Sequence, residues 1–183
     1  AGGDTTEGAF DESIRHAITK MSHVHFVTNE LSARRVRQMG EDPSRIHIVG
    51  SPGLEHMRRT PLLGRLELEQ ALGAALGARN LLVTFHPVTL ELDLGRAQLD
   101  ELLAALDGLP EDTVFWVTGP NADTGGKEFA AKLHTWVARH GSRARIYSSL
   151  GQLRYLSLMA KMDAVVGNSS SGLYEAPSLA VPS

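Results

Sequence analysis

Apolar positions along this chain alternate between short β-type runs and stretches spaced three and four residues apart. Phe10, Ile14, Ala17, Ile18 and Met21 fall at helical spacing, so a helix is expected over 9–21. Residues 23–28 read as a short strand. A helix over 29–39 follows, capped by Thr28 or Asn29, with Glu30 in its first turn and Arg34, Arg35 and Arg37 toward its end. Gly40 is its stop. A second strand over 45–49 runs into Gly50-Ser51-Pro52-Gly53, a turn-rich loop. The stretch 54–65 is less regular and carries Pro61 and Gly64.

Beyond it the alternation is regular. Helices are expected over 66–76, 94–106, 128–139, 150–161 and 172–179, and strands over 81–85, 113–118, 145–148 and 163–167. Strands interleaved with helices predict an α/β fold of Rossmann-like parallel sheets built from βαβ units. The runs 81–85 and 164–166 are nearly all apolar, as central strands covered on both faces would be. The expected organisation is 1–50 as the C-terminal part of a first Rossmann-like domain, 51–65 as a linker, and 66–183 as most of a second.

Composition narrows the function classes. The 183 residues are 42% hydrophobic and 21% charged, enough to bury a proper core. Lys and Arg total 18 against 21 Asp and Glu, a net charge of −3, so no bulk basic field points to nucleic acid or an anionic membrane. Without cysteine, disulfides and Cys-ligated zinc or iron–sulfur sites are excluded. No apolar run approaches the roughly 20 residues of a membrane span and no signal peptide opens the chain, so the cytoplasm is the expected compartment. The chain opens on Ala1-Gly2-Gly3 and stops at Ala180-Val181-Pro182-Ser183, neither a natural start nor finish, and a fragment is expected.

In parallel α/β sheets, ligands gather at the carboxyl ends of strands. Those ends carry His86-Pro87-Val88-Thr89, Gly119-Pro120-Asn121-Ala122-Asp123 and Asn168-Ser169-Ser170-Ser171-Gly172. The last loop precedes an expected helix, whose unpaired N–H groups and the serine hydroxyls would suit a diphosphate. A serine cluster that only caps the helix would look the same. Glu175, one turn on, has the chemistry to accept from a ribose diol, or to sit as a surface carboxylate near the helix dipole. Tyr155 offers a ring face to a base, or simply packs in the core. His86 suits contact with phosphate or a proton shuttle, and equally a structural role before Pro87. His23 and His25 share one face of a strand, but without further ligands they make no metal site, and no cofactor is expected. His47, His56, His134 and His140 read as surface or boundary residues. Asp11 and Arg15, four apart, lie on one helix face, while Gly2, Gly3, Asp4 and Glu7 bring further carboxylates near its start. Paired acids beside an arginine suit proton abstraction next to an anionic leaving group, whereas an isolated pair of this kind is usually a surface ion pair.

Taken together, these motifs resemble those of the hydrolysing UDP-N-acetylglucosamine 2-epimerases of the sialic-acid type. They are Gly2-Gly3-Asp4, the run from Asp11 through Arg15 and His16 to Lys20, Val49-Gly50-Ser51-Pro52, and His86-Pro87-Val88-Thr89. Gly119-Pro120-Asn121, Gly167-Asn168-Ser169-Ser170-Ser171-Gly172 and Glu175-Ala176-Pro177-Ser178 complete the set. Their order and spacing match the family's over essentially the whole chain.

The resemblance implies a glycosyltransferase-B-like enzyme, with a nucleotide sugar held between two Rossmann-like domains and the second binding the nucleotide. It implies elimination of UDP through a 2-acetamidoglucal, then hydration to the manno-configured sugar, feeding synthesis of a nonulosonic acid such as sialic acid. Asp11 matches an acid/base carboxylate, Arg15 an active-site arginine and His86 the histidine at the diphosphate. Ser169 and Ser170 match the phosphate loop, with Ser171 and Gly172 also among the UDP-binding positions. Glu175 matches the ribose-diol carboxylate and Tyr155 the aromatic that stacks on uracil. Where relatives often carry Glu or His before the glycine pair, this chain has Ala1, leaving Asp4 or Glu7 as the second acid/base candidate. The expected partners are a UDP-sugar and, at full length, further copies in a homodimer or higher homo-oligomer. Two rival readings share the diphosphate loop and Glu175: a glycosyltransferase-B sugar transferase and a non-catalytic UDP-sugar-binding module.

Overall fold

In the computed structural model, which describes residues 11–87, 93, 95–119 and 126–183, the chain divides between His56 and Met57 into two units. The first contains α1 (Asp11–Met21), β1 (His25–Val27), α2 (Glu30–Gln38) and β2 (Ile46–Ile48). Helix α3 (Pro52–Arg59) runs across the division. The irregularity expected over 54–65 is therefore confined to 60–64. Pro52 opens α3, where its fixed φ favours a first helical turn and its missing N–H costs nothing.

Asn29 caps α2, its side chain accepting the Ser32 N–H at 2.9 Å. Strands β1 and β2 pair in parallel, His25 opposite Ile46, and Val27, Ala33, Val36 and Ile46 form the small core. His25 opens β1 and is buried, its Nε2 3.0 Å from Glu41 Oε2. His23 lies outside the strand and is exposed, so the two do not share a strand face. Lys20 Nζ, at the end of α1, donates to Glu41 Oε1 at 2.5 Å and to the Met39 carbonyl at 2.9 Å. That lysine, with His25, holds the Glu41 carboxyl below its ordinary value.

The second unit runs α4 (Arg65–Leu72), β3 (Arg79–Thr84), α5 (Arg96–Asp107), β4 (Thr113–Thr118), α6 (Gly126–His140), β5 (Ala144–Tyr147), α7 (Gly151–Met159), β6 (Ala164–Gly167) and α8 (Glu175–Ser178). Helix α4 stops short of 76 because Gly73 takes the left-handed conformation, φ +69°, and turns the chain. The four strands are parallel, in the order β5-β4-β3-β6.

Right-handed crossovers that step outward from β3 to β5 put their helices on one face. The return to β6, on the other side of β3, puts its helix on the opposite face. The core follows that rule. Leu99 and Leu103 of α5 and Phe129, Leu133 and Trp136 of α6 pack on Val83, Phe115 and Val117. Leu68 and Leu72 of α4 and Leu158 and Met159 of α7 pack on Leu82, Trp116 and Val165 across the sheet. Neighbouring strand positions thus feed opposite clusters, as the two-residue period of a strand requires.

Two expectations for this unit are corrected. Strand β6 is not central but lies at the edge of the sheet among the described residues, where the Val165 N–H donates to the Pro182 carbonyl at 2.8 Å. The helix expected over 172–179 is broken into a 3-10 turn, Ser170–Gly172, and the single turn α8. Pro177 explains the break: a continuous helix would need its missing N–H and would force its ring against the Leu173 carbonyl, whereas in the first turn of α8 no donor is required. His140 is a boundary residue, half-buried, its ring 4.1 Å from that of Trp136 and its Nε2 3.1 Å from Asp107 Oδ1. Among the described residues, no helix is long and apolar enough to cross a membrane.

Candidate functional site

In an open parallel sheet, the crevice beyond the strand ends forms where the strand order reverses. Here the reversal is at β3, so the crevice lies beyond Thr84 and Gly167, which pair in the last register of β3 and β6. Gly167 has φ +139°, and a Cβ built on it would lie 1.8 Å from the Thr84 carbonyl oxygen. Only glycine lets the two backbones approach this closely.

Asn168 continues the pairing past the last strand residues. Its backbone N–H donates to the Thr84 carbonyl at 3.2 Å. Its side chain accepts the His86 N–H at Oδ1, 2.8 Å, and donates from Nδ2 to the His86 carbonyl at 2.9 Å. A side-chain amide thus does the work of one more peptide unit of a strand. On the other flank, the Thr84 and Thr118 hydroxyls meet at 2.8 Å and join the ends of β3 and β4.

Beyond these ends, His86, Tyr155, Ser169 and Ser171 line one recess of about 310 Å³, together with Thr118, Ser149 and Gln152. Among the described residues that line it, none carries a carboxylate. An anion there would meet hydroxyl, amide and imidazole donors. A second recess of about 500 Å³ adjoins it, lined by Gly167, Asn168, Ser169 and Gly172 among others. Ser169 also accepts the Ser171 N–H at 3.3 Å and so caps the 3-10 turn, as the capping alternative requires. Tyr155, half-buried, both faces the recess and packs against the core.

The remaining sequence candidates lie elsewhere. Ser170 is exposed and Glu175 half-buried in α8, and neither is among the residues lining these two recesses. With α8 a single turn, separate from the 3-10 turn Ser170–Gly172, the longer helix whose terminus was expected to face the serine loop does not form. Arg15 is half-buried on α1, in the first unit. Asp11 opens α1, but its side chain lies outside the described residues, as do Gly2, Gly3, Asp4, Glu7, Val88, Thr89, Pro120, Asn121, Ala122 and Asp123. Among the described residues, no group of three or more His, Asp or Glu could hold a metal ion.

Sequence reasoning passed over Ser149, Gln152 and the clasp made by Asn168. The available signal for the last was an asparagine directly after a strand-ending glycine.

Comparison with known proteins bears on the same loops. The profile of the family described as UDP-N-acetylglucosamine 2-epimerase matches residues 1–183. The chain is 37% identical over 181 residues to the GDP/UDP-N,N'-diacetylbacillosamine 2-epimerase (hydrolyzing) of Campylobacter jejuni, covering 99% of this chain and 47% of that protein. It is 38% identical over 180 residues to the polysialic acid biosynthesis protein P7 of Escherichia coli, covering 98% and 45%. The crystal structure of UDP-GlcNAc 2-epimerase from Neisseria meningitidis bound to UDP-GlcNAc superposes with a TM-score of 0.71 at 18% identity, over 100% of this chain and 50% of that one. The chain therefore spans about half the length of the curated relatives it matches. Since the profile runs from the first residue to the last and takes in every motif loop at the strand-order reversal, the chain belongs to the UDP-N-acetylglucosamine 2-epimerase family.

Proposed function

We infer that the whole protein catalyses the hydrolysing 2-epimerisation of a UDP-N-acetylhexosamine, either UDP-N-acetylglucosamine or a 2,4-diacetamido relative. One observation carries this reading. In a chain of this family, His86, Tyr155, Ser169 and Ser171, singled out by motif, meet round one recess at the reversal of strand order. The sugar nucleotide's base stacks on Tyr155, its diphosphate lies against His86 and the Ser169–Gly172 loop, and Glu175 accepts from the ribose diol.

The reaction then runs in two halves. A carboxylate, Asp11 or its partner from Asp4 or Glu7, takes the proton at C2. The released electron pair forms the C1–C2 double bond, and the bond from C1 to the diphosphate oxygen breaks with its pair going to UDP. Arg15 and His86 offset the charge that develops on the leaving group. Water then adds to the 2-acetamidoglucal, hydroxyl at C1 and proton at C2 from the opposite face, giving the manno-configured sugar. The same reading makes the whole protein a cytoplasmic homo-oligomer.

Incubating the full-length protein with both UDP-sugars in heavy water, without acceptor, tests it. Free UDP and a 2-epimerised sugar carrying deuterium at C2 are expected. UDP release only when an acceptor is added would instead mark a transferase, and binding without turnover a sugar-nucleotide-binding module. Asp11→Asn should lower turnover and C2 labelling roughly 100-fold, the usual share of a positioned acid or base, with UDP affinity nearly unchanged.

A further inference from the structure

We propose that Asn168 is a positioning residue that acts through His86, fixing the backbone from which the imidazole reaches the diphosphate; this rests on the diphosphate role given to His86 above. His86 is two residues beyond the end of β3, past the last register with β6, in which Gly167 lies opposite Thr84. The Asn168 side chain holds that backbone at both polar groups, with bonds of 2.8 and 2.9 Å to the His86 N–H and carbonyl.

The orientation of the amide is unambiguous. A backbone N–H can only donate and a carbonyl only accept, so Oδ1 must face one and Nδ2 the other. No other short side chain provides both. Aspartate would meet the His86 carbonyl with a second acceptor, and serine is too short to span both groups. The root of the asparagine is equally fixed, by the close approach of Gly167 to Thr84 and by its own N–H to the Thr84 carbonyl at 3.2 Å. Asn168 lines the neighbouring recess with Gly167, whereas His86 lines the one with Tyr155. The asparagine therefore bears on the recess with Tyr155 through the histidine backbone.

The test is calorimetric binding of UDP and of uridine to the full-length protein and to Asn168→Ala, His86→Ala and the double variant. His86→Ala should weaken UDP at least about ten-fold, the lower end for a hydrogen bond to a charged group, and leave uridine unchanged. Asn168→Ala should weaken UDP several-fold, again sparing uridine, and add nothing further in the His86→Ala background.

Additive losses in the double variant would overturn the proposal, because Asn168 would then touch the ligand itself. Equal losses for UDP and uridine would also overturn it, as general damage to the site. A silent Asn168→Ala beside a damaging His86→Ala removes the positioning role alone. A silent His86→Ala removes the diphosphate role of His86, and the proposal with it.

Discussion

The two units bury their apolar residues to very different extents. The second closes a four-stranded sheet between two helical layers, and Leu82, Trp116, Phe115, Phe129, Leu133 and Trp136 are within 1% of complete burial. Among the described residues the first has a two-stranded sheet and a core of Val27, Ala33, Val36 and Ile46, while Met21, Phe26 and Val49 are 79%, 64% and 52% exposed. A two-stranded sheet covered on one side cannot bury both of its faces. In this chain, then, cohesion belongs to the second unit. The unit carrying Asp11 and Arg15 adds to its small core the Lys20–Glu41–His25 network.

The largest effect that would sharpen this contrast is separation of the units. Expressed alone, residues 57–183 should keep a single cooperative denaturant transition followed by circular dichroism, and residues 1–56 should show none. A cooperative transition in the short piece, or its absence in the long one, would break the comparison.

Next in size is Gly167→Ala. The added methyl collides with the Thr84 carbonyl and the left-handed backbone disfavours it, so a loss of about 3 kcal/mol is expected in urea titration. Because the strain sits where β3 meets β6, UDP binding should fall with it. Unchanged stability would mean that the two strand ends do not approach as closely as they do here.

The smallest effect concerns acid. Glu41 is held below its ordinary value of 4.5 chiefly by Lys20 and then by His25. A carboxyl lowered in the folded state contributes stability that is complete above about pH 4.5 and is lost as the pH falls through the folded value. Methyl resonances of Val27 and Val36 should therefore report loosening of the first unit at acid pH, and Glu41→Gln should flatten that dependence. An identical acid profile in the variant would remove the network from the account.

The candidate site was legible in part. His86, Ser169 and Ser171 could be chosen because polar residues after apolar strands fall at carboxyl ends in any parallel sheet. That Tyr155, on a helix, shares their recess required the packing of α7. Glu175 illustrates the converse. Its place was read from a helix over 172–179, and Pro177, two residues on, already argued against that helix.

By itself the sequence determined the alternation of elements. The strand over 113–118 was found at its observed bounds, and the cap at Asn29 and the stop at Gly40 frame α2. Period, caps and breakers act between near neighbours, so a linear reading reaches them. Only the tertiary structure decided that β6 returns to the free side of β3, and that Asn168 thereby meets His86, 82 positions away. It also decided that Glu41 lies between Lys20 and His25. These contacts depend on which distant segments come to share an edge, and that follows from burying apolar faces on both sides of one sheet rather than from any local preference.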